Sequence, residues 1–315
     1  MTGVVIAGYG LCHPDGISPA HLLQEALTYT SPPPRRGSAD AFASLVGYAG
    51  QDAATDYAMR AVSAAGTGIE EVAGERLGVL VASTTSNIDT IIRTAVGIEQ
   101  ESYRTVRPTE VLTIAGTQVT ASLSSWFDAR AFAYGTCSGT AAGIDALGIA
   151  RSAVIGMRAD RVAVVGVETP GEDTRRMIAE ADGERELFTG GAAVIVEASS
   201  ADNAGLPQLS AVTQGETIEA ALRSTDSHPD LVFLPAGTDA ERAHAHSYVA
   251  TIHPGATVID LTEQLGDAQG ALGVLQMVVA SEWLRNNPSA RALVMAGTLT
   301  DRHIVTTFIE GGDRS

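Results

Sequence analysis

Between Val4 and Glu310, short apolar runs of strand length alternate with longer stretches of helical periodicity. Alternation of this kind confines a chain to α/β layering, with helices packed over a largely parallel sheet. Two series are visible. In the first, residues 4–8, 77–83, 130–134, 161–167 and 191–197 read as strands, and 52–65, 86–95, 112–127 and 138–157 as helices. In the second, 231–234, 256–260, 292–296 and 305–310 read as strands, with a long helix over 268–285. The element order repeats in outline without any residue-level repeat. We expect two similar halves, residues 1–200 and 201–315, joined through the polar, turn-forming stretch around 199–207. The segment 31–38, Ser-Pro-Pro-Pro-Arg-Arg-Gly-Ser, is a loop by composition.

Charge and composition remove several functional classes. A net charge of −17 argues against nucleic acid or an anionic membrane as partner, and against this chain as the main docking surface of an acidic carrier. All 20 basic residues are arginine, so neither Schiff-base lysine chemistry nor a P-loop lysine is available. No apolar run approaches the roughly 20 residues that span a bilayer. Residues 1–8 read as a first strand without the basic region of a signal peptide, and a cytoplasmic location is expected. Cys12 and Cys137 lie far apart with no metal-like spacing. Glycines 8, 10 and 16 lack the spacing of a dinucleotide fingerprint. No cofactor and no metal are expected, and His244 and His246 read as residues of a solvated loop.

Cys137 is the candidate for chemistry. It stands in Gly135-Thr136-Cys137-Ser138-Gly139, between an apolar strand and a helix rich in small residues. A thiol at a helix start is favoured as thiolate by the unpaired N–H groups and the dipole. The dull alternative is an inert small hydrophobe. His303 is a candidate base, and Asp267, just before an apolar helix, is a candidate N-cap.

Nearly the whole chain resembles a β-ketoacyl synthase of the thiolase fold. The resemblance rests on the opening strand and glycine turn at 4–10, the strand at 77–83, the nucleophile turn at 136–139, the strand at 161–168 and the glycine-rich strand at 188–197. It implies a five-layered α-β-α-β-α arrangement. In the second half, Leu234-Pro235-Ala236-Gly237-Thr238 aligns with the segment that in the family holds His-Gly-Thr, and Gly266-Asp267 with its Gly-His. Thr262 takes the place of the usual lysine, the loop 296–303 is unlike the family's, and the segment between Glu168 and Phe188 is shorter. The family's two histidines stabilise the enolate formed when a malonyl thioester loses carbon dioxide, and losing one such donor costs on the order of 10²–10³ in rate. With Ala236 and Asp267 there, decarboxylative condensation is not expected.

The resemblance is strongest to the chain length factors of type II polyketide systems, non-condensing subunits that pair with an active ketosynthase and shape its acyl tunnel. It implies a heterodimer paired along 130–134, with Phe132 and Tyr134 at the interface. It further implies a tunnel bordered by Leu112, Gly116, Val119 and Thr120, and contact with an acyl carrier protein mainly through the partner. The alternative is an acyltransferase that uses Cys137 to carry an acyl group, with His303 as its base.

Overall fold

The computed structural model describes residues 3–28, 53–66, 69, 72–85, 87–106, 114–222 and 228–312. Its first five strands are β1 (Val4–Cys12), β2 (Leu77–Ala82), β3 (Phe132–Thr136), β4 (Arg161–Glu168) and β5 (Gly190–Ala198). They lie in the order β3-β2-β4-β5-β1. The second half contributes the short β6 (Gln208–Leu209) and β7 (Thr213–Gly215), then β8 (Leu231–Phe233), β9 (Thr257–Ile259), β10 (Arg291–Thr298) and β11 (His303–Glu310). Their order is β9-β8-β10-β11, with β7 pairing β11. Strand sense recurs with strand order. β2 is parallel to β3 and β4, while β5 is antiparallel to β4 and β1. Likewise β8 is parallel to β9 and β10, while β11 is antiparallel to β10 and β7. β6 bridges β1 and β11, making one ladder of the two halves.

The helices are α1 (Pro19–Thr28), α2 (Ala53–Ala65), α3 (Ile88–Gln100), α4 (Gln118–Trp126), α5 (Ala142–Ile155), α6 (Glu172–Asp182), α7 (Ile218–Leu222), α8 (Asp239–Ile252), α9 (Leu261–Leu265) and α10 (Leu272–Asn286). Side chains alternate across a strand, and this alternation sorts the core into three clusters. Leu80, Val164, Val194, Phe233 and Val294 face a central cluster with α5 and α10. Val79, Val165 and Ile195 turn outward under α2 and α4. Val232, Leu293 and Met295 turn outward under α7 and α8. The layers therefore run helix, sheet, helix, sheet, helix.

α5 and α10 are apolar nearly all round, as helices buried on both sides must be. They touch at their first turns through glycine. A Cβ on Gly143 would stand 2.8 Å from the Val274 nitrogen, and one on Gly273 would stand 2.7 Å from the Ile144 nitrogen.

Two expectations are corrected. The helix expected over 112–127 begins at Gln118 as α4. Residues 115–118 form a turn closed by Gln118 N–H to the Ala115 carbonyl at 3.0 Å, because Gly116 and Thr117 are poor helix formers. Leu112 lies outside the described residues. His244 and His246 lie on α8, not in a loop. That helix starts at a capping box in which Thr238 and Glu241 satisfy each other's backbone N–H groups, and His244 contacts Glu219 at 3.2 Å. Among the described residues no cluster of three or more His, Cys, Asp or Glu could hold a metal.

Candidate functional site

β3 ends at Thr136, whose hydroxyl donates to the carbonyls of Val81 (3.3 Å) and Ala142 (3.1 Å). This ties strand end to helix start and presents Cys137 between them. Cys137 is exposed, whereas Cys12 is half-buried with its thiol pKa raised, chiefly by burial. The chain does not enter α5 directly. A 3-10 turn over Gly139–Ala141 intervenes, with Gly139 at φ +60°.

Next to Cys137, the Ser138 hydroxyl donates to the carboxylate of Asp145, in the first turn of α5. The same oxygen of Asp145 lies 3.3 Å from Nε2 of His303. The second half thus brings a histidine to the nucleophile turn, joined to Ser138 through a shared carboxylate oxygen. Asp301 approaches the same turn: its carboxylate is 3.7 Å from where a Gly139 Cβ would be. Asp145 and Ser138 are functional candidates that sequence reasoning passed over. The available signal was an acid standing alone in the first turn of an otherwise apolar helix.

The two positions aligned with the family's histidines are differently used. Ala236 is buried at 3% exposure in the central cluster with Ala141, Ala268 and Ala271, which begin the two inner helices. It presents a methyl group and no donor. Asp267, 8% exposed, is engaged on every side. Its Oδ1 accepts from the Gln269 backbone N–H at 2.9 Å, and its Oδ2 accepts from the Gln269 side-chain amide at 2.7 Å. Arg185 stands 3.1 Å from Oδ2. Its backbone bridges to Glu186 and Phe188. The carboxylate accepts from the first residue of the 3-10 turn Gln269–Ala271, but that turn is N-capped by Ala268 and α10 by Ala271, neither through a side chain, so Asp267 closes a turn ahead of the helix and is not its expected N-cap.

Glu168, at the end of β4, is the least anticipated residue. It is 1% exposed, and its carboxylate accepts from the backbone N–H groups of Thr84 (2.6 Å), Thr85 (2.8 Å) and Gly270 (3.0 Å). The hydroxyls of Thr85 (2.5 Å) and Ser83 (3.3 Å) also reach it. Burial pushes its pKa up to about 7 against the opposing pull of these donors. One side chain therefore staples the strand ends of the first half to the turn that starts α10.

The residues expected to border a tunnel are partly separated. Val119 and Thr120 are buried, Val119 in the outer cluster beneath α4. Gly116 is exposed, and among the described residues only the Asn87 amide lies within 4 Å of a Cβ placed there, at 3.9 Å. Gly116 and Thr120 both flank Gly135 on β3. Phe132 is buried and stacks on the exposed Tyr134 at 5.5 Å between centroids. Among the described strands β3 pairs only with β2, so it forms an edge.

The repeated order, the five layers and the nucleophile turn define a thiolase-like fold of the β-ketoacyl synthase kind. Comparison with solved structures agrees. The chain superposes on the ishigamide ketosynthase/chain length factor with a TM-score of 0.79 at 18% identity, covering 99% of this chain and 100% of that one. It superposes on a type II polyketide ketosynthase, solved with its acyl carrier protein as AntDE:AntF, at 0.77 and 16%, covering 99% and 100%. A β-ketoacyl synthase from Burkholderia phymatum STM815 follows at 0.73 and 14%, again covering 99% and 100%. No protein-family model matches the sequence, and no curated protein matches it. The likeness is one of fold. No helix among the described residues is long and apolar enough to cross a membrane.

Proposed function

We propose that this chain is a non-condensing, ketosynthase-like subunit of the chain length factor type, which pairs with an active ketosynthase and shapes the space that holds the growing acyl chain. One observation carries the reading. Ala236 offers a buried methyl and Asp267 a carboxylate committed to Gln269 and Arg185, where an enolate needs two hydrogen-bond donors. An ionised Asp267 would repel that enolate. The neighbours whose printed names pair a ketosynthase with a chain length factor support the same assignment, and one solved with an acyl carrier protein supports a carrier-borne substrate.

Surface chemistry supports a partner. Ile91, Val96, Ile98, Tyr103, Trp126 and Tyr134 are large, apolar or aromatic and exposed, and all precede the nucleophile turn in the segment that ends on edge strand β3. Of these, Tyr134 lies on the edge strand itself, and an uncovered apolar edge is a liability. We assign it to the ketosynthase interface. The reading of residues 1–200 and 201–315 as fused halves rests on the repeated strand order.

Co-expression of the full chain with a catalytic ketosynthase tests the proposal. A 1:1 heterodimer is expected, and the chain alone releases no carbon dioxide from a malonyl carrier protein. Carbon dioxide release by the purified chain overturns it. A second reading, a Cys137-dependent acyltransferase, is favoured by the Asp145–His303 pair beside an exposed thiol. It predicts a stable acyl adduct on Cys137 that is lost in His303→Ala.

A further inference from the structure

A cleft of about 650 Å³ runs along the outer side of α5 beside β3, lined among others by Tyr134, Asp145, Ile149, Arg151, Ser152 and Arg158. Most described arginines of this acidic chain are neutralised by carboxylates, as in Arg60–Asp56, Arg161–Glu197, Arg242–Asp260 and Arg291–Glu310. Arg151 and Arg158 form no ion pair with any described residue. The acid that shares the cleft and the one two residues along from Arg158 each have another partner. Asp145, in the cleft itself, accepts from Ser138 and contacts His303, and Asp160 is paired with Arg76 at 2.6 Å.

Arg151 is also held in place. Its Nε donates to the Leu209 carbonyl at 3.2 Å, which leaves the terminal nitrogens of a positioned guanidinium for something else. A fork in that orientation suits a carboxylate, which it can bind through two parallel hydrogen bonds. Tyr134 and Ile149, both exposed, give the cleft an apolar side, and edge strand β3 forms its border.

We propose that this cleft is a carboxylate-docking groove for the partner subunit: acidic side chains of the chain aligned on β3 enter it and pair with Arg151 and Arg158. Charge complementarity singles out this occupant. In a chain of net charge −17, two uncommitted guanidiniums in one cleft form a local positive site, and opposite charges across an interface set register and discriminate against wrong partners. The inference rests on the partner-subunit reading above, and it adds which residues of this chain recognise the partner and by what chemistry.

The test uses the full chain co-purified with its catalytic ketosynthase. Arg151→Gln combined with Arg158→Gln is expected to raise the heterodimer Kd at least about tenfold at low salt. It is also expected to flatten the loss of affinity between roughly 50 and 500 mM salt, since the charges being screened are gone. Arg158→Gln alone, at an exposed site, guards against a folding defect at position 151 and should show part of the same effect with an unchanged melting temperature. Unchanged affinity and salt dependence in a normally folded double variant overturns the groove while leaving the partner reading intact. A wild-type chain that forms no heterodimer overturns the partner reading itself. Two further results also overturn the proposal. One is a wild-type homodimer lost in the variant, which assigns the cleft to a second copy. The other is inorganic phosphate binding the free wild-type chain and not the variant, with heterodimer affinity unchanged, which makes the cleft a small-anion site.

Discussion

Removing the Asp267 carboxylate separates its local role from any part in chemistry. Asp267→Ala leaves the Gln269 N–H without its acceptor, and a lost hydrogen bond of this kind costs about 1 kcal/mol. The melting temperature should fall by a few degrees while product formation by the complex stays the same; a loss of turnover without loss of stability would return Asp267 to the catalytic list. Two other residues make stability pH-dependent in opposite senses. Glu168 has a folded pKa raised to about 7, mainly by burial. Its contribution is therefore fully present below the unfolded carboxylate pKa and is lost as pH rises through 7, on the order of 3 kcal/mol in all. Glu168→Gln removes this titration and turns an amide NH₂ toward backbone donors, at about 1–3 kcal/mol. The variant should be clearly weaker than wild type at pH 5, with the gap narrowing by pH 8 in denaturant titrations. His253 is 8% exposed, neither ring nitrogen has a hydrogen-bond partner among the described residues, and its pKa is lowered, first by burial and then by His228. Its folded form resists protonation, so stability is lost as pH falls below the unfolded histidine value of about 6.5. His253→Phe should weaken that acid-side slope.

At the scale of elements, the sequence was most legible where period and length agreed. The strands at 77–82 and 161–168 and the helix at 53–65 carry long, regular patterns, and they stand within a residue or two of expectation. Less legible was whatever depends on contacts distant in sequence. Glu168 reads as the polar end of a strand, and nothing local reveals that Thr84, Thr85 and Gly270 converge on it. Similarly, the join of His303 to Ser138 through Asp145 spans both halves of the chain. The helix over 112–127 was overextended because small residues permit helix without requiring it, and the Gly116-Thr117 step breaks it. That correction sharpens the tunnel test. Thr120 is buried, so a large ring there would disrupt the fold, whereas Gly116 is exposed and a Cβ there meets no described atom closer than the Asn87 amide at 3.9 Å. Gly116→Phe should fold normally and shift the products of the complex toward shorter chains. Unchanged product length would detach this turn from the acyl tunnel. The contact between α5 and α10 carries the opposite expectation. Gly143→Ala forces a methyl to within 2.8 Å of the Val274 backbone, an overpacking that costs about 1–3 kcal/mol and should lower the melting temperature in proportion.

At the scale of the molecule, the two halves share one topology and divide the work unequally. The first supplies the nucleophile turn and the exposed edge; the second supplies Ala236, Asp267 and the hairpin bearing His303. An edge strand offers a row of unpaired backbone groups, so a second subunit can extend the sheet through β3 without any change in this fold. Tyr134 sits on that edge, 48% exposed and stacked on Phe132, and aromatic residues at the centre of an interface often carry much of its energy. On the proposed reading, Tyr134→Asp places a charge against the partner's strand, and desolvating it there costs binding free energy. In the isolated chain the same substitution gives up the stack on Phe132 and sets a poor strand former in β3, so stability should fall by about 1–2 kcal/mol. The expected result is a heterodimer Kd raised at least about a hundredfold, within the range of central interface residues, while the chain alone still unfolds cooperatively with a melting temperature only a few degrees lower. Sedimentation of the co-expressed pair measures the first and circular dichroism the second. A complex that survives Tyr134→Asp with wild-type affinity would mean that the partner binds elsewhere, and both β3 and the cleft beside it would lose their assignment as the interface.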